Sequence, residues 1–407
     1  MKPIISSLLD LDFYKISMAN MIYMKDHSDV HVKYAFKNRS SEVDLYNWLD
    51  VNELEKQIEY TQNLKFTDEE LKYLWDQGPF SFEFLEVLRN IELPTPKIIK
   101  KNDRFDGIEI EGRWIDAIWW ETYLLSMVNQ IVNAKHMKHL ASTYDLFNDG
   151  MMLKGVSNLE NKIEALQMIP GINFMEFGTR RRFSGDWQDY VIRRLKQEIS
   201  GQLLGTSNVF YAKKYGLKPL GTMAHELFMV YAALYNDDLV AAQNALLDDW
   251  WDIYGEPLSI ALIDTFGTDF FFKNFPMEHA INWCGVRQDS GDPFEIGEKV
   301  IKYYNDMGID PSGKMIVFSD GLDFQKMAAL YVYFSPKISV GFGWGTNLTS
   351  DIGNRTLSIV IKAVEANGKG LVKLSDNVAK AIGKPEDIER YKKTANYTVE
   401  FEEKCTY

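Results

Sequence analysis

The pattern of apolar and polar positions changes character along the chain. Residues 30–36 (VHVKYAF) and 107–112 (GIEIEG) alternate apolar and polar side chains, which predicts half-exposed strands. Between residues 116 and 147, apolar side chains recur at the spacing of an α-helix. Strand-like and helical pieces are therefore mixed, and we expect an N-terminal α+β domain over residues 1–130.

After residue 170 the chain becomes a series of short apolar runs, each ending in small or charged residues and usually followed by a helical stretch. This alternation predicts βα units around a parallel sheet, hence an α/β fold. Seven such runs favour an irregular, TIM-like α/β barrel over residues 131–365, and segment 365–407 could pack with the N-terminal domain. The runs are NFMEFGTR, LLGTSN, KPLGTMAHE, LSIALID, WCGVRQDSGD, KMIVFSDG and KISVGFGWGT.

Composition narrows the class of protein. A net charge of −13, from 45 basic and 58 acidic residues, argues against a general nucleic-acid binder. No segment has the roughly 20 apolar residues of a membrane span, and Asp10 and Asp12 interrupt the region where a secretion signal would be apolar. Cys284 and Cys405 lie far apart and predict neither a disulfide framework nor a zinc site. We therefore expect a cytoplasmic protein.

Polar residues concentrate where the strand-like runs end, which is the edge that carries the active site in α/β barrels. His225 follows the run PLGTMA at the expected start of a helix. A helix N-terminus lowers the pKa of an imidazole and attracts phosphate, so a neutral His225 could attack a phosphoryl group. The alternative is a hydrogen-bonded structural histidine near a loop.

A second polar cluster follows the run WCGV. Arg287 and Asp289 in RQDSGD could hold a sugar phosphate and a magnesium-bound pyrophosphate. The alternative is a capped turn before a helix. Asp292 is expected to be such a cap, because Pro293 and Glu295 follow it at the first and third helical positions.

Two glycine-containing turns are candidates for phosphate contacts. Gly343 and Gly345 in FGWGTNLT would let backbone N–H groups approach a phosphate closely. The FSDG turn, with Ser319, Asp320 and Gly321, has a similar form. Neither turn matches the Walker pattern, and a plain connection between strand and helix is the alternative for both.

Three consecutive arginines occur in EFGTRRRF, residues 176–183. Arg180 lies nearest to the end of the predicted strand and is assigned to the pocket. Arg181 and Arg182 could instead be solvated or pair across an interface. Phe177 could stack on a flat ring or fill the barrel interior, and from pattern alone the second role is favoured.

Taken in order, these motifs resemble those of nicotinate phosphoribosyltransferases, particularly the short bacterial form. The resemblance extends over nearly the whole chain, from SSLLDLDFYK through EFGTRRRFS, GTSN, PLGTMAHE, RQDSGDP, FSDGLD and FGWGTNLT to KLSD. It implies an irregular barrel after a smaller α+β domain, and a homodimer whose active sites lie between subunits. The implied reaction transfers phosphoribose from phosphoribosyl pyrophosphate to nicotinate, with ATP hydrolysis, as the first step of NAD salvage from nicotinate.

The resemblance also implies a catalytic group. His225 would be phosphorylated by ATP, Asp264 would orient its imidazole, and Glu226 follows directly in the chain. Asp289 would handle the ribose and its pyrophosphate, while Mg²⁺ on the pyrophosphate would stabilise the leaving group. Phosphorylation of His225 would favour substrate binding and hydrolysis would favour release. The products would be nicotinate mononucleotide, pyrophosphate, ADP and phosphate.

The implied binding residues come from two subunits. Tyr14 of one subunit and Phe177 of the other would enclose the pyridine ring, and Arg39 and Lys362 would reach from the neighbouring subunit. Trp344 departs from the pattern, since a bulky side chain in the phosphate turn could narrow the pocket or point away. The other residues assigned to substrate binding are Arg180, Thr206, Ser207, Arg287, Ser319, Asp320, Gly321, Gly343, Gly345 and Thr346.

The choice between acid and amide depends on GTSN, residues 205–208. A related enzyme that uses nicotinamide has the motif GTD, with Asp at the position of Ser207. A carboxylate there would repel nicotinate by a few kcal/mol, whereas a hydroxyl can donate to it. The residues therefore favour nicotinate, and nicotinamide phosphoribosyltransferase is the alternative.

Two readings from other classes stay open. An α/β-barrel glycoside hydrolase could use Glu176, Asp264 and Asp289 as acid and base, but Arg180 and Arg287 would then be unexplained because neutral sugars need no phosphate contacts. A non-catalytic phosphosugar-binding protein would bind ligand without turnover.

Overall fold

The computed structural model describes residues 2–40, 43–102, 104–143, 147–354 and 356–403. No helix within these segments is both long enough and apolar enough to cross a membrane. The strands are β1 (His31–Asn38), β2 (Lys97–Lys101), β3 (Arg104–Arg113), β4 (Phe174–Glu176), β5 (Leu203–Thr206), β6 (Ile260–Leu262), β7 (Gly285–Gln288), β8 (Met315–Phe318), β9 (Ser339–Trp344), β10 (Ile359–Ala366) and β11 (Lys369–Gly370).

Helices connect most of these strands along the chain. They are α1 (Phe13–Met24), α2 (Leu45–Trp48), α3 (Val51–Gln62), α4 (Asp68–Gln77), α5 (Phe82–Arg89), α6 (Trp114–Ala117), α7 (Trp120–Thr143), α8 (Phe147–Gln167), α9 (Gly185–Ile199), α10 (Val209–Tyr215), α11 (His225–Leu234), α12 (Leu239–Tyr254), α13 (Thr268–Lys273), α14 (Met277–Asn282), α15 (Pro293–Asp306), α16 (Phe324–Phe334), α17 (Thr346–Thr349) and α18 (Pro385–Ala395).

The first sheet is antiparallel, in the order β11-β10-β1-β3-β2. It contains both strands predicted in the N-terminal region, as β1 and β3, and the alternating pattern buries Val32 and Tyr34 of β1. β10 pairs with β1 over the length of both strands, so the C-terminal part of the chain returns to this sheet. It enters the sheet at Ile359, a few residues before the boundary expected near residue 365.

The second sheet is parallel, in the order β5-β4-β9-β8-β7-β6. Every predicted run except KPLGTMAHE forms one of its strands. That run was wrongly predicted as a strand, for it makes only an isolated bridge between Pro219 and Thr206. Pro219 has no N–H to donate to a ladder, and Gly221 adopts a φ of 152°, so the segment does not continue as a strand.

The strand-helix connections bring the polar residues to one edge. Because the strands are parallel, the residues that follow β4, β6, β7, β8 and β9 meet at the same edge of the sheet. α11 begins at His225, as predicted, and α15 begins after Asp292, whose carboxylate accepts from the N–H groups of Phe294 and Glu295 at 2.9 and 3.0 Å. The predicted cap is therefore confirmed.

The antiparallel sheet lies against this edge of the parallel sheet. Arg39, which follows β1, and Lys362 of β10 line the same cavity as the residues that follow the parallel strands. Helix α7 also holds the segment after β4, since Ser126 donates to the carbonyl of Thr179 at 2.9 Å and Asn129 donates to that of Arg180 at 3.1 Å. The two sheets together therefore enclose the candidate site.

Candidate active site

A cavity of about 310 Å³ opens at the carboxyl ends of the parallel strands. Although the chain has a net charge of −13, basic side chains outnumber acidic ones among the described residues that line it. Such a pocket favours a ligand with several negative charges. The basic residues are Arg39, Arg180, Arg181, Arg287, Lys362, Lys373 and Lys380, and the acidic ones are Asp289, Asp320 and Asp323.

His225 lies in the wall of this cavity with both ring nitrogens engaged. Its Nε2 is 3.0 Å from Oδ2 of Asp289, and its Nδ1 is 3.0 Å from Oγ1 of Thr265. Burial lowers the pKa of His225 to about 4, and the ammonium of Lys373 acts in the same direction. The imidazole is therefore neutral at physiological pH, as the sequence predicted.

The partners of His225 determine its tautomer. Burial alone would raise the pKa of Asp289, but its hydrogen bond to His225 and the nearby Arg287 hold that pKa well below its usual range. An ionised carboxylate can only accept, so Nε2 of His225 carries the proton. Nδ1 then keeps its lone pair and accepts from the hydroxyl of Thr265. This arrangement makes Nδ1 the nucleophilic nitrogen.

The predicted role of Asp264 is corrected by this geometry. Its Oδ1 is 3.7 Å from Nε2 of His225, which is longer than a hydrogen bond. Asp264 is fully buried, accepts from the hydroxyl of Ser290, and does not line the cavity. Asp289 and Thr265 orient the imidazole instead.

Phe177 faces the cavity, and its position depends on Gly343. A Cβ on Gly343 would lie 2.6 Å from Cδ2 of Phe177 and 3.2 Å from Cβ of Ser319, so only glycine leaves room for the ring. A Cβ on Gly345 would lie 3.2 Å from the carbonyl oxygen of Phe177. Trp344 between them is fully buried against Phe174 and does not narrow the cavity.

Arg180 enters the cavity from a buried network. Its guanidinium lies over the ring of Tyr14 at 5.7 Å and 3.3 Å from Oδ2 of Asp12. Glu121 of α7 lies 3.6 Å from Arg180 and accepts from Lys362 at 2.9 Å. Although burial opposes ionisation, nearby Lys15, Lys362 and Arg180 hold the pKa of Glu121 well below its usual range. Glu121 thus holds in place two of the cations that line the cavity, Arg180 and Lys362.

The turn after β8 contributes Ser319, Asp320 and Gly321 to the cavity, as predicted. Ser319 donates to Oδ1 of Asp289 at 3.1 Å, and Asp320 accepts from Lys380. Gly321 has a φ of 54°, a conformation that favours glycine. Gly343 of the neighbouring strand β9, and Gly345 and Thr346 after it, also line the cavity, and Thr346 begins α17.

Comparisons with known proteins establish the family of the chain. Residues 9–129 match the N-terminal domain model of the nicotinate phosphoribosyltransferase family, and residues 172–400 match the model of the family itself. The chain belongs to the nicotinate phosphoribosyltransferase family. The predicted family, enzyme class and fold class are thereby confirmed.

Solved structures of this family resemble the chain over nearly its full length. A nicotinate phosphoribosyltransferase from Vibrio cholerae is 34% identical over 98% of this chain and 95% of its own, with a TM-score of 0.87. A structure from Saccharomyces cerevisiae is 33% identical over 98% of this chain and 100% of its own, with a TM-score of 0.82. The enzyme from Porphyromonas gingivalis is 28% identical over 97% of this chain and 100% of its own, with a TM-score of 0.84.

The expected sharing of active sites between two subunits stays a prediction. Arg39 and Lys362 were expected to reach into the site of a neighbour, but they line the cavity of their own chain. Tyr14 and Phe177 were expected to face each other across subunits. In this chain Tyr14 is buried beneath Arg180 and does not line the cavity that Phe177 faces. The homodimer itself stays a prediction.

Three other assigned residues lie outside the cavity. Glu226 is buried on another face of α11, where it accepts from Lys15 at 2.8 Å and from the indole of Trp114 at 2.7 Å. Thr206 donates to Glu176 at 2.5 Å, and Ser207 donates to Asp12 at 2.7 Å. Contrary to the prediction, the Ser207 hydroxyl already has an acceptor within the protein and is not presented to a substrate.

The structure also provides no acid-base pair in the cavity for the glycoside hydrolase alternative, among the carboxylates named for it. Glu176 is fully buried and accepts from Thr206, from Gln188 at 3.0 Å and from the N–H of Gly178. It does not line the cavity, and neither does Asp264. Asp289 alone of the three carboxylates faces a possible ligand.

Sequence reasoning assigned no role to Thr265, Glu121, Lys373 or Lys380. Thr265 directly follows Asp264 at the end of the LSIALID run, which was the available signal for it. Lys373 belongs to the KLSD motif, but no chemistry was attached to it. Burial lowers the pKa of Lys373 to about 8. No local pattern connects Glu121 or Lys380 to the site.

Proposed function

We propose that this cavity transfers phosphoribose from phosphoribosyl pyrophosphate to nicotinate, and that ATP drives the transfer through a phosphorylated His225. One observation supports this proposal above the others. The neutral imidazole of His225, whose Nδ1 carries a lone pair, lies in the wall of a cavity rich in basic side chains. That combination suits a phosphoryl acceptor beside a polyanionic substrate.

The phosphoribosyl pyrophosphate would lie between the two sheets. The turn of Gly343 to Thr346 suits the 5′-phosphate, because small residues let backbone N–H groups approach it. Arg39 and Lys362 supply positive charge from the antiparallel sheet. Asp289 and the Ser319 turn would contact the ribose hydroxyls and the pyrophosphate end.

Nicotinate would stack on Phe177, with its carboxylate toward arginine. Arg287 lines the cavity, and its buried Nε donates to no acceptor among the described residues. A carboxylate would satisfy that donor and match the guanidinium charge. The preference for acid over amide is thus ascribed to Arg287 and Arg180, since Ser207 is occupied by Asp12.

The transfer itself is a displacement at C1 of the ribose. The ring nitrogen of nicotinate forms the bond to C1 as the bond from C1 to pyrophosphate breaks, and the bonding electrons leave with the pyrophosphate. Positive charge develops on the ribose ring, as in other glycosyl transfers. The carboxylate of Asp289, kept ionised by His225 and Arg287, is suited to stabilise that charge.

A magnesium ion carried by the pyrophosphate fits the carboxylates present. Ligand atoms of His225, Asp264 and Asp289 all lie within 4.8 Å of one another. Oδ1 of Asp264 is buried and accepts no hydrogen bond from the described residues, and carboxylate oxygens are the ligands that Mg²⁺ prefers. Asp289 would hold the ion from the wall of the cavity, and Asp264 behind it would add negative charge. The ion would neutralise charge on the leaving pyrophosphate.

Labelled ATP tests the ATP coupling directly. Enzyme incubated with Mg²⁺ and γ-labelled ATP should acquire acid-labile phosphate, and His225→Ala should abolish it. His279→Ala is a matched control, because His279 is also buried beside a carboxylate, 3.0 Å from Asp248, but lies outside the cavity. Label that survives in His225→Ala would contradict the phosphohistidine.

Product analysis tests the transfer and the choice of ring. With phosphoribosyl pyrophosphate and ATP present, nicotinate should give its mononucleotide faster than nicotinamide does. Arg287→Met should reduce turnover of nicotinate more than that of nicotinamide, because only the acid loses an ion pair. Faster turnover of nicotinamide by the unaltered enzyme would instead favour the nicotinamide enzyme, and binding without turnover would favour a phosphosugar-binding protein.

A further inference from the structure

Lys373 is a buried lysine whose ammonium donates no hydrogen bond to the described residues. Its side chain is 5% exposed, and the one ion pair that it makes with the described residues is to Oδ2 of Asp264, at 3.8 Å. That separation exceeds the roughly 2.7–3.2 Å between the heavy atoms of an N–H···O hydrogen bond. Lys373 lines the cavity in which we propose that the substrates bind.

The other buried lysines in the described part of the chain are all satisfied within the protein. Lys15 contacts Glu121 at 2.7 Å and Glu226 at 2.8 Å. Lys314 donates to two backbone carbonyls at 2.6 and 2.8 Å. Lys380 donates to Asp320 and to the carbonyl of Asp289. An ammonium removed from water without hydrogen bonds is costly, so the exception at Lys373 indicates an anionic ligand.

The position of Lys373 is held by its own segment. The N–H of Leu374 donates to the carbonyl of Thr265 at 2.8 Å, and that of Asp376 donates to the hydroxyl of Ser290 at 2.9 Å. Asp376 also accepts from the N–H of Thr268 at 3.0 Å. The segment is thus attached to the loops after β6 and β7, the same loops that hold His225.

The neighbours of Lys373 limit which anion it could bind. Thr265, whose carbonyl anchors the segment, presents its hydroxyl to Nδ1 of His225. Asp264 lies between the two side chains, 3.8 Å from Nζ of Lys373 and 3.7 Å from Nε2 of His225. A phosphoryl group on Nδ1 of His225 would lie across one imidazole ring from this carboxylate. A nearby cation would offset the repulsion between the two negative groups.

We propose that Lys373 binds the phosphoryl group as it is transferred from ATP to His225. This inference rests on the proposed function of His225. Nδ1 of His225 forms a bond to the γ-phosphorus while the bond from that phosphorus to the bridging oxygen of ATP breaks, and the electron pair leaves with ADP. The Nε2 proton stays in its hydrogen bond to Asp289. Lys373 neutralises charge on the transferring oxygens and transfers no proton itself.

The test follows acid-labile phosphate in Lys373→Met and Lys373→Arg with Mg²⁺ and γ-labelled ATP. Removal of one charge-assisted hydrogen bond should slow labelling about 10- to 100-fold in Lys373→Met. Lys373→Arg keeps the charge and should recover part of the rate. Binding of nicotinate, measured separately, should stay within about twofold of the unaltered enzyme.

Lys369→Met is the matched control, because Lys369 lies in the same part of the chain but donates to Ala233 and Asn236 outside the cavity. Equal labelling rates in Lys373→Met and Lys369→Met would overturn the role of Lys373 while the phosphohistidine stands. Equally slow Lys373→Met and Lys373→Arg, with melting temperatures lowered together, would mean that Lys373 only packs, and would also overturn it. No label in the unaltered enzyme would overturn both proposals.

Discussion

One methyl group added at Gly343 should weaken substrate binding without preventing the chain from folding. Gly343→Ala adds a Cβ 2.6 Å from Cδ2 and 2.8 Å from Cε2 of Phe177. These ring atoms cannot stay, because ordinary van der Waals contact begins near 3.4 Å. The ring must move by at least about 0.8 Å, the difference between the two distances, and the nearby Ser319 side chain limits where it can go.

The size of the effect follows from the stacking that we propose for nicotinate. An aromatic pair with good geometry contributes about 0.5–1.5 kcal/mol beyond the area that it buries. Loss of that contribution corresponds to a rise of about 2- to 12-fold in the KM for nicotinate. If the ring shift also misplaces the reacting nitrogen, kcat should fall as well, because about 1 Å of misplacement can cost up to about 100-fold.

Steady-state kinetics with Gly341→Ala as the control would measure this. Gly341 lies two residues earlier in β9, and its added Cβ would meet Val317 at 3.6 Å and Met315 at 3.8 Å, which are ordinary contacts. Both variants should fold, but only Gly343→Ala should lose affinity for nicotinate. If the two variants have the same KM for nicotinate, Phe177 does not stack on the substrate and the reasoning is refuted.

Three further predictions concern buried polar groups. Burial raises the pKa of Glu176 to about 7, so this carboxyl ionises at lower pH in the unfolded chain than in the folded one. The free energy of unfolding should therefore fall by up to about 3 kcal/mol as pH rises from about 4.5 to 7. Urea unfolding of Glu176→Gln should show a flatter pH dependence. Arg182→Met would leave buried Asp10 without its bidentate partner. This change should lower the free energy of unfolding by about 3–5 kcal/mol. Adding Asp10→Asn to the same chain should recover part of the lost stability, because the unpaired charge is then removed. Thr265→Val removes the hydroxyl that donates to Nδ1 of His225. Labelling of the enzyme by ATP should become about 10-fold slower. An unchanged rate would mean that Thr265 does not orient the imidazole ring.

Local pattern sufficed where short-range physics decides the structure. The βα alternation predicted the strands of the parallel sheet, and the Asp-Pro-x-Glu arrangement predicted the start of α15, because capping involves groups only two or three residues apart. The position of His225 at the start of α11 was predictable for the same reason. Parallel strands then necessarily bring their carboxyl ends to one edge, so Arg287, Asp289 and Gly343 could be placed in one site from the sequence.

The direction and partners of the polar side chains were decided only by tertiary structure. Glu226 follows His225 directly, but consecutive helical residues do not share a face, so Glu226 turns away to Lys15. Ser207 looked free to meet a substrate until α1 brought Asp12 to its hydroxyl. Lys373 is separated from His225 by well over one hundred residues, and only the returning C-terminal segment brings them into one cavity. Contacts of this range leave no periodic signal in the chain, because they depend on which elements pack together and not on the spacing of residues within one element.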